Sequence, residues 1–158
     1  MRSVRIGIGG LPMKNMLFKL IVVGRVKDVH YQAKINEFIQ RLNAFGKIEI
    51  QELRDDTVEK ESAAILKALE NERGWVVILD ERGENITSVE LANKFSSCDR
   101  KIVLVIGGAF GFTDEVRKRA DYLLALSKFT VTHEMARLLL AEQLYRACTI
   151  IAGKKYHH

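Results

Sequence analysis

Short β-branched runs alternate along this chain with longer stretches whose apolar positions recur every three or four residues. That alternation predicts an α/β fold with a mostly parallel sheet. "LFKLIVVG" at 17–24 predicts a first strand closed by Gly24. "HYQAKINEFIQRLNAFG" then sets Tyr31, Ile35, Phe38, Ile39 and Leu42 at helical spacing, with Gly46 as the stop. "KIEIQEL" at 47–53 alternates with period two, like a half-buried strand nearer an edge. The next helix is expected to begin near Thr57. Lys60 stands where a capping box needs an acid or amide, so Asp55 or Asp56 is expected to cap instead. Ala64, Ile65, Ala68 and Leu69 form its apolar stripe, and Gly74 ends it.

"WVVILD" at 75–80 predicts a third strand, followed by "ERGEN" as a turn and a short helix from Thr87 or Ser88 through Phe95. "KIVLVI" at 101–106 is the most uniformly apolar run, which places it in the middle of the sheet. A short helix around "TDEVRKRA", a fifth strand "DYLLALS" at 121–127 and a long helix from about Thr132 to Ala152 complete the pattern, with Gly153 as the end. The single proline, Pro12, lies in a segment that reads as an extension over 1–15, with one domain over 16–158.

A length of 158 residues with 47% hydrophobic content suits one domain with a real core and leaves little room for two. The apolar runs are far shorter than the roughly 20 residues that cross a bilayer. No signal-peptide pattern opens the chain, so a cytoplasmic location and no membrane contact are expected. Cys98 and Cys148 lack the spacing of a disulfide framework or a zinc site, and no metal is expected. The formal charge of +5 favours an anionic partner, nucleic acid first.

Gly107, Gly108 and Gly111 form G-G-x-x-G between a strand and a helix. No Gly-Lys-Ser/Thr follows, so the lysine and hydroxyl of a triphosphate loop are missing. A dinucleotide loop would normally be G-x-G-x-x-G in the first βαβ unit, not after a fourth strand. A ligand-free structural turn, a nicotinamide-binding loop and some other backbone-lined site stay open at this point. The loop before the last helix, "LSKFTVTHEM", would converge with the glycine turn at the carboxyl edge of the sheet. On that helix His133 and Arg137 are four apart, as are Glu142 and Arg146, so each pair can share a face.

"VLVIGGAFGF", "ALSKFTVTHEMARLLLAEQLYRA" and the terminal "KKYHH" together resemble the RlmH family. These are SPOUT-class methyltransferases that modify N3 of a pseudouridine in bacterial 23S rRNA. The resemblance continues through "LIVVGRVKDVHYQAKINEFIQRL" and "VVILDERGENITSVELA", from about residue 16 onward. It implies the SPOUT, or α/β-knot, fold with a C-terminal trefoil knot, an S-adenosylmethionine site in that knot and a homodimer. Hydrophobic periodicity shows none of these, and topology rules by themselves argue against a knot.

Carried over by motif, the resemblance assigns the cofactor to Leu79, Gly107 and the loop Leu126, Ser127, Lys128, Phe129, Thr130 and Val131. It makes His157, Tyr156, Arg146 and Glu142 the candidate catalytic group. His157 suits a general base by intrinsic pKa, Tyr156 a stacking or hydrogen-bonding partner of the base, and Arg146 a stabiliser of negative charge oriented by Glu142. His133 and Arg137 are candidate RNA contacts or braces of the helix. The implied substrate is 23S rRNA within the assembled ribosome. Two departures stand out: Thr132-His133 replaces the family's usual Pro-His, and the chain ends His157-His158 where a basic residue commonly comes last.

Overall fold

The structure, a computed structural model, describes residues 15–157; the expectations for residues 1–14 and for His158 lie outside the described residues. The elements run β1 (Met16–Val23), α1 (Val29–Leu42), β2 (Gly46–Leu53), α2 (Val58–Ala68), β3 (Trp75–Asn85), α3 (Ser88–Ser97), β4 (Ile102–Ile106), α4 (Asp114–Arg119), β5 (Tyr122–Ala125) and α5 (His133–Ile151). All strand pairs are parallel, in the order β2-β1-β4-β3-β5. The uniformly apolar β4 is the central strand and every residue in it is buried, while β2 is an edge.

Alternate residues of the inner strands feed two separate cores, as a parallel sheet covered on both faces requires. Phe18, Leu20 and Val22 of β1 pack with Leu42 of α1, Phe95 of α3 and Leu140 and Leu144 of α5. The intervening Ile21 and Val23 pack with Ile65 of α2 and Val116 of α4. Helices α1, α3 and α5 therefore cover one face, and α2 and α4 the other.

Four local expectations change. Gly74 does not end α2, which stops at Ala68 with Leu69 as its cap, five residues before Gly74. Gly46 does not stop α1, which ends at Leu42; it opens β2, where a Cβ would lie 1.8 Å from the Met16 carbonyl oxygen. Thr57 itself caps α2, its hydroxyl accepting from the Lys60 amide at 3.3 Å, and neither Asp55 nor Asp56 is needed. Glu61, one place beyond the capping-box position, accepts from the Asp56 amide at 2.9 Å. "ERGEN" is not a turn but the continuation of β3 through an irregularity, with Leu79 and Glu84 both registered on Leu124. Gly83 makes this possible, because a Cβ there would sit 2.7 Å from the Leu123 and Leu124 backbone.

Candidate active site

The carboxyl ends of β4 and β5 and the middle of β3, where its register shifts after Leu79, open into one cavity of about 430 Å³. This is where open α/β sheets place their ligands. Leu79, Gly107, Leu126, Ser127, Phe129 and Val131 line it, together with His133. Lys128 and Thr130 are exposed and do not line it. The Ser127 hydroxyl accepts from the Phe129 amide at 2.9 Å, which tightens the loop and leaves the Phe129 ring 84% exposed.

Each glycine of the turn has its own reason. A Cβ on Gly107 would meet the Phe112 ring at 2.7 Å, and one on Gly108 would meet the buried Glu61 carboxylate at 2.7 Å. Gly111 has φ +79°, and its amide closes the turn on the Gly108 carbonyl at 3.1 Å. From behind, Ser62 of α2 accepts from the Thr113 amide at 3.0 Å. Glu61 and Ser62 thus brace the turn from another helix.

Open space surrounds a Cβ at Gly111, so a substitution there is penalised by backbone strain alone. Gly111→Ala is expected to cost about 1–2 kcal/mol, read as a lower urea midpoint at unchanged m-value. Gly111→Asn should recover part of that loss, because asparagine tolerates the left-handed region better.

A charged wall that the sequence patterns did not single out completes the cavity. Asp80 pairs with Arg117 of α4, which also donates to Asp114 at 2.8 Å and lies 5.1 Å from the Phe112 ring centroid. Burial opposes the Arg117 charge, but its hydrogen bonds to Asp80 and then Asp114 outweigh it and hold the guanidinium above its ordinary pKa. The one sequence signal was an acid closing the apolar run "WVVILD", and its partner lies 37 residues away.

The four candidate catalytic residues do come together. Helix α5 ends in a Schellman turn, with Gly153 at φ +69°, its amide donating to Ile150 and that of Lys154 to Thr149. The chain therefore folds back along α5. Arg146 donates through Nε and Nη2 to Glu142 Oε1 at 2.9 and 2.6 Å, and the Tyr156 hydroxyl donates to the same oxygen at 3.2 Å. The Arg146 guanidinium lies 4.8 Å from the Tyr156 ring centroid.

Arg146 Nη1 meets His157 Nδ1 at 3.1 Å. Guanidinium can only donate, so Nδ1 accepts and the imidazole carries its proton on Nε2. The hydrogen bond to Glu142 raises the Arg146 pKa, while burial first, and then Glu142, raise that of Tyr156. Both therefore stay protonated at neutral pH, and Tyr156 acts as a donor.

None of these four lines the cavity. Along α5, Glu142 and Arg146 lie about 14 and 20 Å from His133 at 1.5 Å per residue. Arg137 is buried, and its Nη2 donates to the Val23 and Gly24 carbonyls, each at 3.0 Å. Burial lowers its pKa, only partly offset by Glu52 and Glu134. Of the two roles considered for Arg137, the geometry realises the brace, tying α5 to the end of β1, and does not present it to an RNA phosphate.

A five-stranded parallel sheet with a cavity where three of its strands meet, and a clustered Glu-Arg-Tyr-His group toward the end of α5, make up the α/β scaffold. The family described as "Predicted SPOUT methyltransferase" matches residues 16–157, and the chain belongs to that family. It is 40% identical over 156 residues to Ribosomal RNA large subunit methyltransferase H of Geobacter sulfurreducens, spanning 90% of this chain and 100% of that one. The protein of the same name from Bacteroides thetaiotaomicron is 39% identical over 153 residues, spanning 88% and 97%.

Among solved structures, a probable methylase family protein from Haemophilus influenzae superposes with TM-score 0.55 at 18% identity, over 92% of this chain and 71% of that one. A tRNA methyltransferase from Aquifex aeolicus gives 0.54 at 17%, over 84% and 70%. At such identity these two show the fold.

Proposed function

We propose that the protein transfers a methyl group from S-adenosylmethionine to N3 of a pseudouridine in 23S rRNA, on the assembled ribosome, in the cytoplasm and as a homodimer. The relatives' shared name supports the rRNA substrate, and the clustering of Glu142, Arg146, Tyr156 and His157 carries the reading of the chemistry. The reading includes a single domain over 16–158 and the trefoil knot of its C-terminal third. No helix among the described residues is long and apolar enough to cross a membrane.

The cavity fits the proposed cofactor. Its volume of about 430 Å³ suits a nucleoside-sized ligand, and it offers both apolar side chains and backbone polar groups of the glycine turn. Leu79, Gly107, Leu126, Ser127, Phe129 and Val131 would hold S-adenosylmethionine, with Lys128 and Thr130 contributing through the loop they complete. When bound, that cofactor supplies an electrophilic methyl on a sulfonium.

N3 of a uracil-type ring carries a proton, so the protein must remove it and stabilise the imide anion. Arg146 is aimed by Glu142 and would donate to a ring oxygen in place of His157 Nδ1. That exchange frees Nδ1 to accept the N3 proton, while Tyr156 holds the ring by its face or hydroxyl. His133, at the cavity, would contact RNA phosphate.

Calorimetry should find binding of S-adenosylmethionine and none of NAD. Ribosomes lacking the modification should take up labelled methyl, recovered as a methylated pseudouridine by nucleoside mass spectrometry. Absence of S-adenosylmethionine binding would sink the reading, and NAD binding would replace it with an oxidoreductase.

A further inference from the structure

Among the described residues, every carboxylate and guanidinium that lines the cavity lies on its β3 and α4 side. These are Asp80, Glu81 and Arg82 of β3 and Arg117 of α4, two anions beside two cations. The β5 side presents Leu124, Leu126, Phe129 and Val131 instead. One wall is thus strongly polar yet without excess charge, which complements a zwitterion better than a chain of phosphates.

Arg117 is fixed within that wall. Its Nε donates to the Asp80 carboxylate, whose side chain is 6% exposed, and its Nη1 donates to Asp114 Oδ1 at 2.8 Å. Asp80 is itself held by the Arg82 amide, which donates to Oδ1 at 2.9 Å. The guanidinium lies 5.1 Å from the centroid of Phe112, the ring that a Cβ on Gly107 would strike. It is therefore keyed to the glycine turn as well. With Nε and Nη1 taken, Nη2 has no protein partner among the described residues. A guanidinium nitrogen only donates, so Nη2 is the nitrogen left for an acceptor on a ligand.

We propose that Arg117 is a specificity-determining residue of the cavity, whose Nη2 binds the α-carboxylate at the methionine end of S-adenosylmethionine. The identity of the ligand rests on the methyltransferase reading above. That carboxylate is the single anionic group of the cofactor, and an ammonium sits on the same carbon. Asp80 and Glu81 supply acceptors for the ammonium, and the uncharged adenosine lies toward the apolar β5 side. Asp80 and Asp114 act as positioning residues, because they take Nε and Nη1 and hold the fork in one plane. Holding the cofactor by both ends fixes the sulfonium between them, as in-line transfer requires.

Calorimetry of the full chain compares S-adenosylmethionine with its decarboxylated form, which keeps the sulfonium and the amine and lacks the carboxylate. Wild type should prefer the intact cofactor by about 10–100-fold, the range of one charge-assisted hydrogen bond. Arg117→Gln should lose that preference by weakening S-adenosylmethionine alone, with the decarboxylated form bound no less tightly than by wild type. Arg117→Lys should recover part of it, since the charge stays and the fork is lost. Lys118→Gln removes an equal charge from an exposed position of α4 outside the cavity and should keep the full preference. Asp80→Asn/Arg117→Gln leaves no buried carboxylate unpaired and should repeat the loss in a chain whose urea midpoint reports its fold.

A preference that survives in both Arg117→Gln and the double variant overturns the assignment. So does a variant that weakens both ligands alike, which would make Arg117 a part of the wall's structure only. Equal loss in Lys118→Gln overturns it too, because net charge would then explain the preference. If wild type binds neither ligand, the methyltransferase reading fails; if it binds both with the same affinity, the Arg117 assignment alone fails.

Discussion

Arg146→Lys is expected to lower kcat on ribosomal substrate by about 10²–10³-fold, the loss seen when one preorganised donor to a developing anion is removed. Affinity for S-adenosylmethionine should stay at the wild-type value, because Arg146 does not line the cavity. The reason lies in the fork. Arg146 uses Nε and Nη2 on Glu142 and still has Nη1 to offer, pointed at present to His157. A lysine ammonium keeps the charge but cannot hold Glu142 and aim a second donor in a fixed plane. Single-turnover methyl transfer beside calorimetry separates the two effects. A variant with near-wild-type kcat would remove Arg146 from the chemistry. Glu142→Gln should fall between the two, since it weakens the aiming and leaves the donor.

The sheet was legible because its inner strands are apolar on both faces, and no polar residue interrupts β4 to suggest another order. The long helix was equally plain, from its Thr132 cap to Gly153. What the pattern could not carry was contact at a distance. Glu61 and Ser62 look like an ordinary polar first turn of α2 until the fold sets them behind Gly108 and Thr113. Asp80 acquires its meaning from Arg117, and "ERGEN" resembles a turn in every residue except that Gly83 lets β3 run against β5. Turn residues report local freedom, and here the freedom served close strand approach.

The site residues divide the same way. Those assigned to the cofactor sit at strand ends, which the alternation of elements already located. The Glu142–Arg146 pair was visible as an i,i+4 spacing, but that spacing describes an ordinary surface ion pair worth a few tenths of a kcal/mol. Only the Schellman turn at Gly153, which returns Tyr156 and His157 to the same carboxylate and guanidinium, makes it a cluster. Arg137 shows the converse: four residues from His133, it turns inward to the end of β1.

Mixing two inactive proteins should restore activity. A Gly107→Val chain places side-chain carbon against the Phe112 ring and spoils the cavity, while a Tyr156→Ala/His157→Ala chain keeps the cavity and loses the cluster. Within one subunit the two parts lie toward opposite ends of α5, about 14–20 Å apart, too far for a methyl group to pass between them. A two-fold dimer can close that gap, because an isologous interface brings the end of one helix to the start of its partner's. Coexpression with random pairing makes about half the dimers mixed, each with one intact composite site, for about a quarter of wild-type activity. Purifying the mixed dimer through two affinity tags should raise that to about half. No recovery in a verified mixed dimer would mean that each subunit completes its own site, and the tail would then have to travel along α5 to reach the cavity.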